Sequence, residues 1–110
     1  PVMHVTVDLS IFPIGVGNTL SPYILACERV LREAGLEPQM HANGTNFEGE
    51  WNAVFEAVRR CHETLHTMGA PRVAANLRLG SRSDRHHTLA DKLASVEAER
   101  ARQDTPPATQ

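Results

Sequence analysis

The sequence predicts an α+β sandwich in which two helices cover one face of a four-stranded antiparallel sheet. Two segments, residues 3–12 and 72–79, alternate apolar and polar side chains, as a strand with one buried face does. Two segments between them repeat apolar residues with the period of a helix. An Asn-Gly pair lies between these two helices, in a position that suits a β-hairpin.

The first strand is predicted over residues 3–12. Its apolar residues occupy every second position, so Thr6, Asp8 and Ser10 should project from the opposite, polar face. Pro13 and the glycines after it end the strand.

The first helix is predicted from Ser21 to Ala34, because serine is a typical cap residue and Pro22 is favoured in the first turn. Gly35 suits the left-handed conformation that ends many helices. An apolar stripe indicates that one side of this helix packs on the sheet. The stripe consists of Leu20, Ile24, Cys27, Leu31 and Ala34.

A hairpin is predicted from two short strands, residues 37–43 and 45–49, hinged at Asn43 and Gly44. The second helix is then predicted from Glu50 to Met68. Its proposed buried stripe consists of Trp51, Val54, Phe55, Val58, Cys61, Leu65 and Met68.

The last strand is predicted over residues 72–79, with Asn76 on its polar face. The order strand, helix, strand, strand, helix, strand is that of a ferredoxin-like βαββαβ sandwich. Leu89, Leu93 and Val96 predict a short C-terminal helix. We therefore predict one domain over residues 1–98 and a disordered tail over 99–110, where few side chains could be buried.

Composition excludes several functional classes. The formal charge of −2 and the 5% aromatic content do not favour a nucleic-acid partner. No apolar run approaches the roughly 20 residues that span a bilayer, and no signal peptide is recognised, so a cytoplasmic location without membrane contact is expected. Cys27 and Cys61 fall on the two apolar stripes and are interpreted as buried, reduced thiols.

The segment "HETLH" matches the zinc-protease pattern H-E-x-x-H, with His62 and His66 as ligands of a possible metal-dependent hydrolase. A zincin needs a third protein ligand and an open coordination position. His62 lies within the apolar stripe, where packing is favoured over coordination. Nothing in a two-layer domain brings His4, His86 or His87 to this helix face as a third ligand. No metal site is predicted.

Two other catalytic patterns are weak. Gly15 and Gly17 lack the third glycine of a dinucleotide-binding loop, and a flexible turn is the favoured interpretation. Ser10, His41 and Asp8 could be cast as a triad, but no nucleophile elbow positions the serine.

Four segments together resemble the small thiamine-binding (YkoF-type) family: "SIFPIGVG", "LSPYI", "NGTNFEGE" and "GAPRV", in this order. The resemblance covers residues from Met3 to Val96. It implies a ferredoxin-like fold and a non-enzymatic protein that binds thiamine or its hydroxymethylpyrimidine part without a further cofactor. It also implies self-association as a dimer or tetramer.

The polar sheet face is the predicted ligand site, because it carries many neutral donors and acceptors. For a thiamine-like ligand, Ser10, Asn43 and Thr45 could pair with the aminopyrimidine. Asp8, Glu48 and Trp51 are candidates for the thiazolium cation, which favours a carboxylate or an aromatic face. The remaining candidates are His41 and Asn76 on the polar face, and Asn18 and Thr19 in a loop that could close over one end.

The alternative to a ligand site is a polar face that is simply hydrated or covered by another subunit. A purely structural oligomer would then be the function. Of the site assignments, those in the hairpin depend most on its register, because a slip of one residue exchanges the two faces of a strand.

Overall fold

A computed structural model describes residues 2–84 and 88–104 of the chain. Seven elements follow one another along it. They are β1 (His4–Ile14), α1 (Ser21–Glu33), β2 (Gln39–His41), β3 (Gly44–Glu50), α2 (Trp51–Thr67), β4 (Arg72–Ser81) and α3 (Leu89–Asp104).

The four strands form one antiparallel sheet in the order β2-β3-β1-β4. Helices α1 and α2 pack on each other and against one face of this sheet. The predicted ferredoxin-like α+β sandwich with a further C-terminal helix is therefore confirmed.

The core lies between the sheet and these two helices. Val5, Val7 and Leu9 alternate along β1 and are at most 2% exposed. Phe47 of β3 lies opposite Val7 and is 1% exposed. The alternation seen in the sequence therefore points the apolar residues of β1 into the core and leaves Thr6, Asp8 and Ser10 on the other face.

The first helix begins differently from the prediction. Ser21 is its first helical residue, Leu20 occupies the cap position, and no side chain caps the helix. The Leu20 carbonyl instead accepts hydrogen bonds from the amides of Tyr23 and Ile24. The helix ends at Glu33, with Ala34 as its C-cap and Gly35 at a φ of 77°, the left-handed conformation expected of that glycine.

The hairpin turns one residue earlier than predicted. Ala42 and Asn43 form the turn, and Gly44 is already the first residue of β3, paired with His41. Thr45 pairs with Met40 in the hairpin and with Leu9 of β1, and it shares the helix-facing side of the sheet with Leu9.

The second helix is capped by Glu50, whose carboxylate accepts hydrogen bonds from the amides of Asn52 and Ala53. The prediction that Trp51, Phe55 and Met68 are buried is wrong, because each is 38–39% exposed. The Trp51 and Phe55 rings pack on each other with centroids 4.8 Å apart, so they shield one another at the end of the helix rather than entering the core.

The C-terminal helix is longer than predicted. It runs from Leu89 to Asp104 and buries no residue. Residues 99–104, which the sequence places in a disordered tail, are therefore helical, while 105–110 lie outside the described residues. Within the described ranges, no helix is both long enough and apolar enough to cross a membrane.

The two cysteines meet where α1 packs on α2. Both are free thiols and both are buried, as the sequence predicts. The Cys61 thiol donates to the backbone carbonyl of Cys27 at 3.7 Å. A hydrogen bond with Cys61, together with burial, raises the pKa of the Cys27 thiol and disfavours its reactive thiolate form.

Candidate functional site

The sheet face turned away from α1 and α2, here called the open face, carries polar residues in register across all four strands. Asp8 pairs with Asn46 on one side and with Arg78 on the other. Asn46 pairs in turn with Gln39. A neighbouring row contains Ser10, which is opposite Asn76, and His41, which is opposite Gly44.

A histidine-carboxylate pair lies near the centre of this face. His41 Nε2 is 2.7 Å from Asp8 Oδ1. The other ring nitrogen, Nδ1, is 3.3 Å from the backbone amide nitrogen of Asn43. Because that amide can only donate, Nδ1 accepts and the Nε2 proton is donated to Asp8. The turn of the hairpin therefore fixes the orientation of the imidazole ring.

Gly44 leaves the room that this pair occupies. A methyl group at Gly44 would lie 3.2 Å from Asp8 Oδ1, 3.2 Å from His41 Cε1 and 2.8 Å from the backbone oxygen of Leu9. The last distance is shorter than real contacts allow, and a backbone oxygen in a central strand cannot move aside cheaply. Glycine is thus required here for close approach.

The larger of two cavities at this site has a volume of about 580 Å³. This lies within the range of small-molecule sites, roughly 300–1,000 Å³. Its polar lining comprises Thr6, Asp8, His41, Asn46, Arg78 and Lys92. A second cavity of about 290 Å³ lies beside the hairpin and is lined in part by Ser10, His41, Asn43 and Thr45. His41 borders both cavities.

Glu48 lies at the end of the open face nearest to α3. Its Oε2 atom is 3.0 Å from His4 Nε2 and also accepts the Leu89 amide proton at 3.0 Å. Lys92 of the same helix reaches Thr6, with 3.4 Å between Nζ and Oγ1. The start of α3 thereby forms one wall of the larger cavity.

The structure brings together some of the predicted site residues and separates others. Those on the open face are Asp8, Ser10, His41, Glu48 and Asn76, with Asn43 at the turn beside them. Thr45 is on the opposite face and reaches only the second cavity. Asn18 and Thr19 lie in the loop between β1 and α1, and Trp51 starts α2; none of these three lines either cavity.

Sequence reasoning missed Asn46 and Lys92 in the larger cavity. Asn46 pairs directly with Asp8, and strand alternation puts it on the same face as Glu48, two residues along β3. Lys92 is 86 residues from Thr6 along the chain, and no local pattern indicates that contact. Arg78 could be placed on the polar face by strand parity, yet nothing in the sequence shows that it borders a cavity.

The histidines of "HETLH" have separate surroundings. His62 is half-buried on α2, and His66 donates its Nδ1 proton to the Ala70 carbonyl at 2.8 Å beyond the helix end. Over residues 2–84 and 88–104, no three His, Cys, Asp or Glu side chains lie close enough to hold a metal ion. His86 and His87 lie outside the described residues.

We expect His62→Leu to leave the melting temperature of the protein within a few degrees of the parent value, because a half-buried ring without a resolved hydrogen bond is replaced by an apolar side chain. Thermal unfolding with and without zinc, on protein purified without an affinity tag, checks this. If zinc raises the melting temperature of the parent and His62→Leu abolishes that rise, the prediction that His62 holds no metal is wrong.

The triad considered in the sequence is not assembled for catalysis. A triad histidine binds the carboxylate through one nitrogen and accepts the serine proton with the other. In His41 that second nitrogen already accepts the Asn43 amide proton. The pair is consequently suited to holding a ligand donor at the Asp8 carboxylate rather than to activating Ser10.

Comparisons with known proteins agree with this architecture. A family model described as thiamine-binding protein matches residues 7–97. A UPF0045 protein of Synechocystis sp. is 52% identical over 95 residues, which cover 86% of this chain and 78% of that protein. A UPF0045 protein of Eremothecium gossypii is 35% identical over 96 residues, covering 86% of this chain and 91% of the relative.

Solved structures show the same fold. A hypothetical protein of Methanocaldococcus jannaschii matches with a TM-score of 0.80 at 28% identity, covering 86% of this chain and 96% of that one. A candidate thiamine biosynthesis/salvage protein of Thermotoga maritima matches with a TM-score of 0.72 at 19% identity, covering 84% and 98% of the respective chains. Because the family model spans most of the sequence, this chain belongs to the thiamine-binding protein family.

Proposed function

We propose that this protein is a non-enzymatic binding protein for thiamine or its hydroxymethylpyrimidine moiety, and that the ligand occupies the larger cavity of the open face. The observation that carries the proposal is the Asp8–His41 pair at that cavity, held at 2.7 Å beside Gly44. Membership in the thiamine-binding protein family supports a small-molecule role.

The chemistry of the pair suits an aminopyrimidine. An exocyclic amino group donates hydrogen bonds, and the Asp8 carboxylate retains acceptor positions beyond the one that His41 uses. The amide of Asn46, on the adjacent strand, offers both a donor and an acceptor at the same cavity. The negative charge of Asp8 also favours the permanent cation of a thiazolium ring.

Asp8→Asn should weaken thiamine binding about tenfold to a hundredfold, because a hydrogen bond to a charged group contributes roughly 1.5–3 kcal/mol. The folded protein should keep its melting temperature nearly unchanged, since the Asp8 side chain is 47% exposed. Isothermal titration calorimetry with thiamine and hydroxymethylpyrimidine measures the affinity.

The matched control is Glu63→Gln, which removes one carboxylate charge from the exposed face of α2. It should bind thiamine like the parent. If the parent protein gives neither heat nor thermal stabilisation with thiamine or hydroxymethylpyrimidine, the proposal is wrong. If Asp8→Asn and the parent bind thiamine with equal affinity, the ligand does not bind at Asp8 in this cavity.

Self-association remains part of the proposal. β2 and β4 are the two edges of the sheet, and each leaves backbone groups that could pair with another chain. We predict that the protein forms dimers or tetramers and that it lies in the cytoplasm. We also predict that it acts without a metal, a cofactor or nucleic acid.

A further inference from the structure

Two cations, Arg78 and Lys92, border the larger cavity, and neither forms an ion pair with a carboxylate among residues 2–84 and 88–104. Arg78 is directly opposite Asp8 in the register of β1 and β4, but the Oδ1 atom of Asp8 is hydrogen-bonded to His41. Asp8 and Glu48 contact histidines instead. Asp8 contacts His41, and Glu48 contacts His4.

Lys92 is the only lysine of the sequence, and it points back over the sheet from α3. Its ammonium group lies 3.4 Å from the hydroxyl of Thr6, a residue that is 6% exposed. A hydroxyl satisfies one of the three ammonium donors and carries no charge to neutralise it. The lysine is therefore held at the cavity, and a ligand can accept hydrogen bonds from its other ammonium protons.

Gly80 lines the same cavity beside Thr6 and Lys92. It pairs with Thr6, and a methyl group there would lie 3.3 Å from Thr6 Oγ1 and 3.8 Å from Lys92 Nζ. Arg78 is two residues along the same face of β4, about 6.6 Å away by strand geometry. A side chain at Gly80 would therefore crowd the Thr6 hydroxyl, and Thr6, Arg78 and Lys92 all border the same cavity.

We propose that this end of the cavity binds the phosphate group of a phosphorylated ligand, so that the protein prefers a phosphate monoester of its heterocycle to the free alcohol. The inference rests on the proposed function. Guanidinium and ammonium groups are the usual protein partners of phosphate, and the Thr6 hydroxyl adds a further donor. The ligand would then place its amino-heterocycle at Asp8 and its phosphate between Arg78 and Lys92.

Calorimetry with thiamine, thiamine monophosphate and inorganic phosphate tests the inference. The parent protein should bind thiamine monophosphate about tenfold or more tightly than thiamine, as expected for charge-assisted hydrogen bonds. Arg78→Gln and Lys92→Gln should each reduce that ratio severalfold. Arg72→Gln, which removes a charge from an exposed position at the start of the same strand, should leave both affinities unchanged.

The outcomes separate this inference from the proposed function. Equal affinity for thiamine and its monophosphate overturns the inference and leaves the proposed function standing. No binding of either compound overturns both. A preference that survives in the Arg78→Gln/Lys92→Gln double variant also overturns the inference, because the phosphate is then held elsewhere. Measurable binding of inorganic phosphate that is lost in the double variant supports it.

Chemical labelling gives a second readout that does not depend on the variants. Because the sequence has one lysine, an amine-reactive reagent followed by mass spectrometry reports on Lys92 alone among side chains. Thiamine monophosphate should slow the modification of Lys92 at least severalfold more than thiamine does at equal occupancy. Equal labelling rates with the two saturating ligands would contradict a phosphate at this ammonium group.

Discussion

Phe47→Ala is expected to lower the free energy of unfolding by about 3–5 kcal/mol, the range for a large aromatic side chain removed from a packed core. Phe47 is 1% exposed and lies on the helix-facing side of β3, opposite Val7 in the central strand. Domains of this size are stable by roughly 5–15 kcal/mol, so this one substitution removes a large share of the total. Urea unfolding followed by circular dichroism measures the change.

Phe55→Ala is the matched control, because it removes the same side chain from a position that is 39% exposed. Its ring contacts Trp51, and the loss of such a contact amounts to about 0.5–1.5 kcal/mol. If the two alanine variants were equally destabilised, the core would not lie between the sheet and the helices as described.

The fold could be predicted because its signals are local. The alternation from Val5 to Leu9 requires a strand with one buried face, and the helical stripes of α1 and α2 can be buried only against that face. The exposed positions of Trp51 and Phe55 could not be predicted in the same way. Helical periodicity shows which residues share a side, whereas burial depends on how far the sheet extends beneath the helix.

The site could be predicted only in part, because it depends on register and on distant contacts. Asp8 and Ser10 follow from the periodicity of β1 alone. Thr45 was grouped with Ser10 and Asn43, although strand alternation puts it on the side of Phe47, which faces the helices. Gly44 is needed inside the strand, where its missing side chain lets β3 approach the Leu9 carbonyl. That requirement is visible only in three dimensions.

Gly44→Ala should affect both stability and binding, because its new methyl group would meet a backbone atom and both members of the Asp8–His41 pair. Crowding of this kind costs about 1–3 kcal/mol. The nearest atom, the Leu9 oxygen at 2.8 Å, belongs to the central strand, so β3 and the hairpin must move instead. We expect that movement to separate Asp8 from His41.

We therefore expect Gly44→Ala to lower the free energy of unfolding by about 1–3 kcal/mol and to weaken thiamine binding at least tenfold. Gly35→Ala is the control: its φ is 77° and nothing lies within 4 Å of the added methyl group, so backbone strain of about 1–2 kcal/mol destabilises the protein without touching the cavity. Urea unfolding and calorimetry on both variants separate the two effects. If Gly35→Ala weakens thiamine binding as much as Gly44→Ala does, lost stability explains the affinity, and the close approach at Gly44 has no special part in holding the ligand.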